Sequence, residues 1–377
     1  MKITDIEVIE LRTPGWTGMT FDGSYDNCVV LVHTDQGLSG LAEVDSVPSV
    51  IRAIVDAPRS HTHAMGLKTI LVGRDPTHLE ALWEEMYDAT SYYGRRGAVI
   101  HAISAIDIAL WDLRGKIQGK PLAEILGAKK QRDRILAYGT VYPLGETPDE
   151  VRRTIDRGLK LGLRCIKIVA DPFWREDLAK TTALIRTARE HVGPEIRLMV
   201  DAATAWSKAE EGLPLMPIFR DFNFHWVEAP LPLDDMEGHA RFQGFGVPIG
   251  GGDLGLTTHY EYEQMFDVGK IDIAQPDVTM VGGLTELLRL SAIAKKRGKR
   301  VVTHGYKSNI TIAANLAFLA QHWAEEVLEY STSESALRWE LTRERFPIEK
   351  DGKVAVPTAP GLGVSLDPKM VERFRVR

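Results

Sequence analysis

From Arg134 to Tyr330 the chain repeats one unit: a short β-prone run, a polar loop, then an amphipathic helical stretch. The β-runs fall at residues 135–141, 164–169, 197–200, 224–227, 248–250, 271–274, 300–303 and 327–330. Helical patterns separate them, as at 147–161, 176–191 and 283–297, the last with Leu287 to Ala292 on its apolar face. Eight strands alternating with helices predict an α/β fold, a closed (β/α)8 barrel rather than an open doubly wound sheet. No G-x-G-x-x-G fingerprint follows the first run, which further disfavours a dinucleotide-binding fold.

The first third reads differently. Residues 3–11, 28–33 and 38–44 are β-rich, with a turn at Asp35-Gln-Gly37, and predict an antiparallel sheet. Residues 13–27, between the first two strands, are rich in glycine and aromatics, and so long a connection inside a compact sheet is usually functional or mobile. Helical patterns follow at 49–56, 76–90 and 96–118. In the last, Ala98, Ala102, Ala105 and Ala109 recur at helical spacing beside a Val99, Ile103, Ile106, Leu110 stripe, a pattern for close helix packing. Trp111 and Asp112 read as core and surface residues of that helix. Residues 121–126 add a short helix, and Ala128-Lys-Lys130 reads as a boundary. The expected domains are 1–130, an α+β unit, 131–345, the barrel, and 346–377, a return segment packing on the first unit.

Composition sets the class of partner. Hydrophobic residues make up 44% of the 377 and charged residues 26%, an ordinary soluble balance. A net charge of −6 gives no electrostatic case for nucleic acid or an anionic membrane. The opening Met-Lys-Ile-Thr-Asp-Ile-Glu is charged where a signal peptide is apolar, and the most apolar stretch, 98–113, carries His101, Asp107 and Asp112. Cys28 and Cys165 suit a reducing cytoplasm, which is the expected location. The partners expected are a small-molecule substrate and further copies of the chain in a homo-oligomer.

The polar residues closing the β-runs are Lys167, Asp201, Glu228, Asp253, Asp277, His304 and Glu329, spaced 24 to 34 residues apart. One strand–helix unit fits each gap, so all seven can face one pocket at the strands' C-terminal ends. A lone acid there is more often a helix N-cap, and a lone histidine more often structural. Three carboxylates in successive units, Asp201, Glu228 and Asp253, would repel one another without a cation. An all-oxygen donor set favours a hard ion, in the manner of Mg²⁺.

At these residues the chain resembles the enolase superfamily, in its mandelate racemase-like branch. The resemblance rests on Ile106-Asp-Ile-Ala-Leu-Trp-Asp-Leu-Arg-Gly-Lys116, on Val-Asp201, Val-Glu228 and Gly-Gly-Asp253, on Ile273-Ala-Gln-Pro-Asp-Val278 with Gly282-Gly283, and on Thr303-His-Gly305. It implies a TIM-like barrel with an N-terminal α+β capping domain completed by the C-terminal segment. It also implies one Mg²⁺ per chain, held by Asp201, Glu228 and Asp253, that stabilises an enediolate formed when a substrate's α-proton is removed. His304 with Asp277 matches the family's base dyad, Lys167 a carboxylate-binding cation, and Glu329 a group that hydrogen-bonds the enediolate or a substrate hydroxyl. An ordinary surface salt bridge is the plain alternative for Glu329.

Two positions depart from the family. The third ligand is usually Glu, and Asp253 is one methylene shorter. The second strand commonly reads Lys-x-Lys, with a second base on the opposite substrate face, and here it reads Lys167-Ile-Val169. Valine moves no proton, so two-base racemisation is disfavoured unless Asp171 or Tyr142 substitutes. One base suits syn dehydration of an acid sugar, an aldonate in the family's terms, to a 2-keto-3-deoxy acid. The alternatives are an epimerase or cycloisomerase using the same enediolate, or a metal-dependent sugar-acid binding protein without turnover. Trp16, Phe21 and Tyr25 fall where capping loops shape specificity, with aromatic packing as a nearly equal reading. His61 and His63 read as solvated loop histidines rather than a zinc site, and Tyr92 to Arg96 as a helix entrance.

Overall fold

The computed structural model describes residues 1–18, 23–127, 132–203, 205–253, 255–323 and 326–376. The stretch Ala128 to Lys130 and Phe21 lie outside them. The N-terminal sheet is antiparallel, in the order β1 (Ile3–Arg12), β2 (Asp26–Thr34), β3 (Ser39–Val44). Val8 opposes Val30 across its first pair, and both are buried.

The helix Ala98–Gln118 lies on this sheet through its alanine face. Gly40 of β3 sits directly on the Ala109 carbonyl, where any Cβ would collide with that backbone and with Leu113. Small residues on both sides permit the approach, and Ala102, Ala105 and Ala109 are fully buried. Each large aliphatic of the neighbouring stripe contributes about 1.5–3 kcal/mol by its burial.

The same helix fastens the cap to the barrel. Ser104 Oγ accepts from Gly282 N at 2.8 Å, and the Asp107 carboxylate accepts from Thr285 N at 2.9 Å and Thr285 Oγ1 at 2.6 Å. Trp111 Nε1 donates to Thr285 Oγ1 at 3.0 Å. Asp112 is fully buried rather than a surface residue. Its carboxylate accepts from Leu41 N and Leu362 N, each at 2.8 Å, and pairs with Lys116.

The barrel strands are β4 (Arg134–Val141), β5 (Cys165–Val169), β6 (Arg197–Asp201), β7 (Phe224–Glu228), β8 (Ile249–Gly251), β9 (Ile273–Ala274), β10 (Arg300–Val301) and β11 (Leu328–Glu329). They are parallel neighbours in the order β10-β9-β8-β7-β6-β5-β4-β11. Side chains span the remaining side: Arg300 binds Glu326 through two bonds of 2.7 Å, and Gly305 N donates to Glu329 Oε2 at 3.1 Å. The fold is the expected α/β barrel with an antiparallel-sheet cap.

The return segment goes to two places. β12 (Lys353–Ala355) pairs antiparallel with β4 of the barrel. Leu362 then reaches Asp112 of the cap, and Val376 N donates to Glu10 O at 2.9 Å beside β1. Among the described residues, no helix is long and apolar enough to cross a membrane.

Inside the barrel, Tyr138, Cys165, Met199, Trp226, Ile273, Val302 and Val327 form one buried apolar layer. Strand side chains alternate with period two, so the next inward position lies two residues further along each strand. Those positions are Thr140, Lys167, Asp201, Glu228, Gln275, His304 and Glu329. An apolar floor thus carries a polar layer at the strands' C-terminal ends.

Candidate active site

Lys167 is the hub of that layer. Its side chain is 1% exposed, and its ammonium pairs with Glu228, with Glu329 at 3.1 Å and with Asp201 at 3.3 Å. It also lies 5.5 Å from the centre of the Tyr138 ring. Burial alone would lower the lysine's pKa, but Glu228, Glu329 and Asp201 outweigh it and hold the ammonium well above its usual range.

The carboxylates are fixed from below and from the sides. Glu228, fully buried, also accepts from Trp226 Nε1 at 2.9 Å and from Gln275 Nε2. Glu329 accepts from Thr140 Oγ1 at 3.0 Å as well as from Gly305 N. It is 1% exposed, so it belongs to the buried polar layer and is not a surface salt bridge. Asp201 Oδ1 accepts from Ala203 N at 2.8 Å.

Asp253 is the exception, because its Oδ1 is buried with no hydrogen-bond partner. Gly252, at φ 109°, turns the chain into Asp253, and a Cβ there would strike the Tyr262 ring.

Burial, and then the neighbouring Asp201 charge, pushes Asp253 up to about 6. Burial likewise drives Glu228 up to about 8, with Asp201 and Asp253 adding to the rise and Lys167 opposing it. The layer therefore holds more negative charge than Lys167 neutralises.

Among the described residues, no three His, Cys, Asp or Glu side chains close on one point to form a metal cage. The acids are instead gathered around the Lys167 ammonium. An orphaned carboxylate oxygen, surplus negative charge and all-oxygen donors nonetheless fit a hard divalent cation.

His304 Nδ1 lies 2.8 Å from Asp277 Oδ2, and its Nε2 lies 3.7 Å from Glu329 Oε2. Asp277 is locked by Thr279, whose N and Oγ1 donate to Oδ1 at 2.7 and 2.6 Å. The imidazole is 19% exposed against 1% for Asp277, so it is the member of the pair that a ligand can reach. Burial would lower the His304 pKa, but Glu329 and the bond to Asp277 outweigh it and hold the ring's pKa well above the usual range.

Val169 lies two residues beyond Lys167 and is half-buried. Asp171 follows it with one buried, unpartnered oxygen, and burial raises its pKa. The charges that act on it are Glu146 and Lys180, so it stands apart from the Lys167 cluster.

A cavity of about 630 Å³ opens beside the polar layer, lined by Tyr25, Tyr142, Tyr306, Thr332, Ser333 and Trp339 among others. The cluster itself does not line it. A bonded path joins the two: Tyr306 OH meets Thr332 Oγ1 at 3.1 Å, Thr332 Oγ1 donates to Thr140 O at 2.6 Å, and Thr140 holds Glu329. Trp16 stacks on Tyr25 with ring centres 5.9 Å apart. His61 packs edge-on against Tyr92, and His63 bonds the Asp88 carbonyl, so the pair is taken up locally.

The sequence reading did not single out Thr140, and it met Gln275 only inside the Ile273–Val278 motif without a role, although counting two residues on from the apolar layer would have found both.

Residues 148–370 match the family described as enolase C-terminal domain-like. Residues 3–127 match the mandelate racemase and muconate lactonizing enzyme N-terminal domain. The chain belongs to this family. It is 32% identical to the L-talarate/galactarate dehydratase of Salmonella typhimurium, over 81% of this chain and 73% of that protein. It is 31% identical to the D-galactarolactone cycloisomerase of Agrobacterium fabrum, over 81% of this chain and 82% of that one. A racemase from Streptomyces coelicolor, solved with bound magnesium, superposes with a TM-score of 0.84 at 27% identity, over 99% of this chain and all of that one (100%).

Proposed function

We propose that this protein is a Mg²⁺-dependent dehydratase of an acid sugar, an aldonate or aldarate, giving a 2-keto-3-deoxy acid. The observation that carries this reading is the His304–Asp277 pair, whose imidazole is the exposed member, together with Val169 rather than a base at the end of β5. Asp201, Glu228 and Asp253 would hold the ion. Bound there, Mg²⁺ would supply Lewis-acid stabilisation of charge developing on the substrate carboxylate. A cation among these acids would also offset the field that keeps His304 protonated, freeing Nε2 to act as a base near neutral pH.

The chain's own groups then divide the work. Asp277 fixes the His304 tautomer and orientation through Nδ1. His304 Nε2 takes the α-proton, and as imidazolium returns it to a β-hydroxyl leaving on the same face. Lys167 supplies a fixed positive charge toward the substrate carboxylate, and Glu329, already anchored by Thr140 and Gly305, accepts from a substrate hydroxyl.

The second reading is cycloisomerisation, favoured by the Agrobacterium fabrum relative, whose identity to this chain is similar. It uses the same proton removal with a different leaving group. A screen of acid sugars and their lactones with Mg²⁺, read for 2-keto-3-deoxy product and for ring-opened isomer, separates the two. Turnover of neither class, with binding retained, would overturn both and leave a binding protein.

A further inference from the structure

We propose that Lys307 is a positioning residue that clamps the stretch Gly23 to Asp26 onto the loop after the His304 strand, and thereby fixes the Tyr25–Tyr306 wall of the cavity. Lys307 follows His304 by three residues, and its side chain is 2% exposed. Its ammonium donates to Gly23 O at 2.6 Å and Asp26 O at 3.3 Å, and pairs with Asp45 at 3.1 Å and Asp26 at 3.6 Å. One buried charge therefore ties the cap's β1–β2 connection, its β3 end and the barrel's seventh strand end together.

Two neutral bonds run beside it. Ser24 Oγ donates to Tyr306 O at 2.6 Å, and Ser335 Oγ donates to Ser24 O at 2.7 Å. Glu43 secures the following turn by accepting from the N and hydroxyl of both Ser308 and Thr311 at 2.7–2.9 Å. Tyr25 and Tyr306, on the two clamped segments, both line the cavity.

Nothing in the proposed proton chemistry uses Lys307. A fully buried ammonium with two carbonyls and two carboxylates is costly to place and specific in what it holds, and removing it takes from Asp45 its ionic partner and leaves Asp26 to Arg12 alone, at 3.4 Å. Its contribution is to where the wall stands, so its loss falls on substrate binding before it falls on the chemical step. The cavity's role as a substrate site rests on the function proposed above, whereas the clamp does not.

The test is hydrogen–deuterium exchange by mass spectrometry on the full chain with Mg²⁺, comparing wild type, Lys307→Met, the milder Ser24→Ala, and Ser104→Ala. The last removes the Gly282 contact at the other cap–barrel seam and touches neither Gly23 nor Tyr306. The expected result is at least tenfold faster exchange in the peptide spanning Gly23 to Asn27 for Lys307→Met, and a smaller rise for Ser24→Ala. Ser104→Ala should leave that peptide at the wild-type rate. Unchanged exchange in both Lys307→Met and Ser24→Ala, or an equal rise in Ser104→Ala, would overturn the clamp. For an acid sugar turned over by wild type, Lys307→Met should raise KM at least tenfold with kcat within threefold. A fall confined to kcat would overturn the positioning role while leaving the proposed reaction standing.

Discussion

Val169 stands in register with Asp201 across β5 and β6. An isopropyl group thus flanks a carboxylate proposed to hold the metal, at the position where the family resemblance leads one to expect a second base. Asp171, the nearest acid along the chain, answers to Glu146 and Lys180 instead of the cluster. With one base, chemistry is confined to one substrate face. Turnover in D₂O should leave recovered substrate with its C2 configuration intact, any C2 exchange proceeding with retention, while product acquires deuterium at C3. Proton NMR reads both, and C2 epimer in the recovered substrate would refute the one-face mechanism.

The two halves of the His304–Asp277 pair should fail unequally. His304→Asn removes the proton carrier and should cost at least about 10³-fold in kcat, with α-proton exchange lost in step. Asp277→Asn keeps the ring but loosens its tautomer and basicity, so a loss of about 10²-fold is expected, with the pH profile moved to lower pH. Steady-state rates across pH check both. Full activity in His304→Asn would move the base elsewhere.

How much of this was legible beforehand follows from the kind of signal each part leaves. The barrel was readable because eight β-runs recur with helices between them, and burial on both faces keeps parallel strands apolar up to the polar residue that ends them. Lys167, Asp201, Glu228, His304 and Glu329 stood out as charges at the ends of such runs. Thr140 and Gln275 did not, since a neutral side chain in a strand carries no charge cue, and only the inward period-two register assigns them. The wedge of Lys167 among the acids is a contact between residues up to 162 apart, as with Glu329, and no local pattern encodes it. Asp112 misled for the opposite reason, because a charge on an amphipathic helix usually marks a solvated face. Here it is buried to satisfy Leu41 N and Leu362 N.

Metal affinity should depend on pH. Burial and mutual repulsion hold Glu228 up to about 8 and Asp253 up to about 6, so Glu228 at neutral pH, and Asp253 from about pH 6 down, carry protons that a cation must displace. Mg²⁺ binding should strengthen as pH rises from about 6 to about 8.5 and release protons as it does so. Calorimetry in two buffers of different ionisation heat measures affinity and proton release together. Glu228→Gln should weaken binding at every pH while the barrel stays folded. Affinity that is flat with pH, with no proton release, would remove these acids from the metal site.

The last prediction concerns the seam between cap and barrel, where Asp107 is fully buried on the Thr285 backbone and hydroxyl. Burial pushes its carboxyl from 3.8 up to about 7, against the pull of those bonds and of Arg289. A folded-state pKa above the unfolded one means the native protein holds a proton that the unfolded chain has released between those two values. The group's contribution to stability is therefore whole below about pH 4 and declines as pH rises through about 7, by an amount on the order of a few kcal/mol. Asp107→Asn removes the titration but leaves the Thr285 hydroxyl in poorer company, because Trp111 already donates to it. The variant should be about 1–3 kcal/mol less stable than wild type at pH 5. By pH 8 that gap should narrow or close, since only the wild type then carries a buried charge. Urea unfolding of both proteins at pH 5, 6.5 and 8 measures it, and a gap that stays constant across that range would mean the Thr285 bonds hold Asp107 ionised throughout.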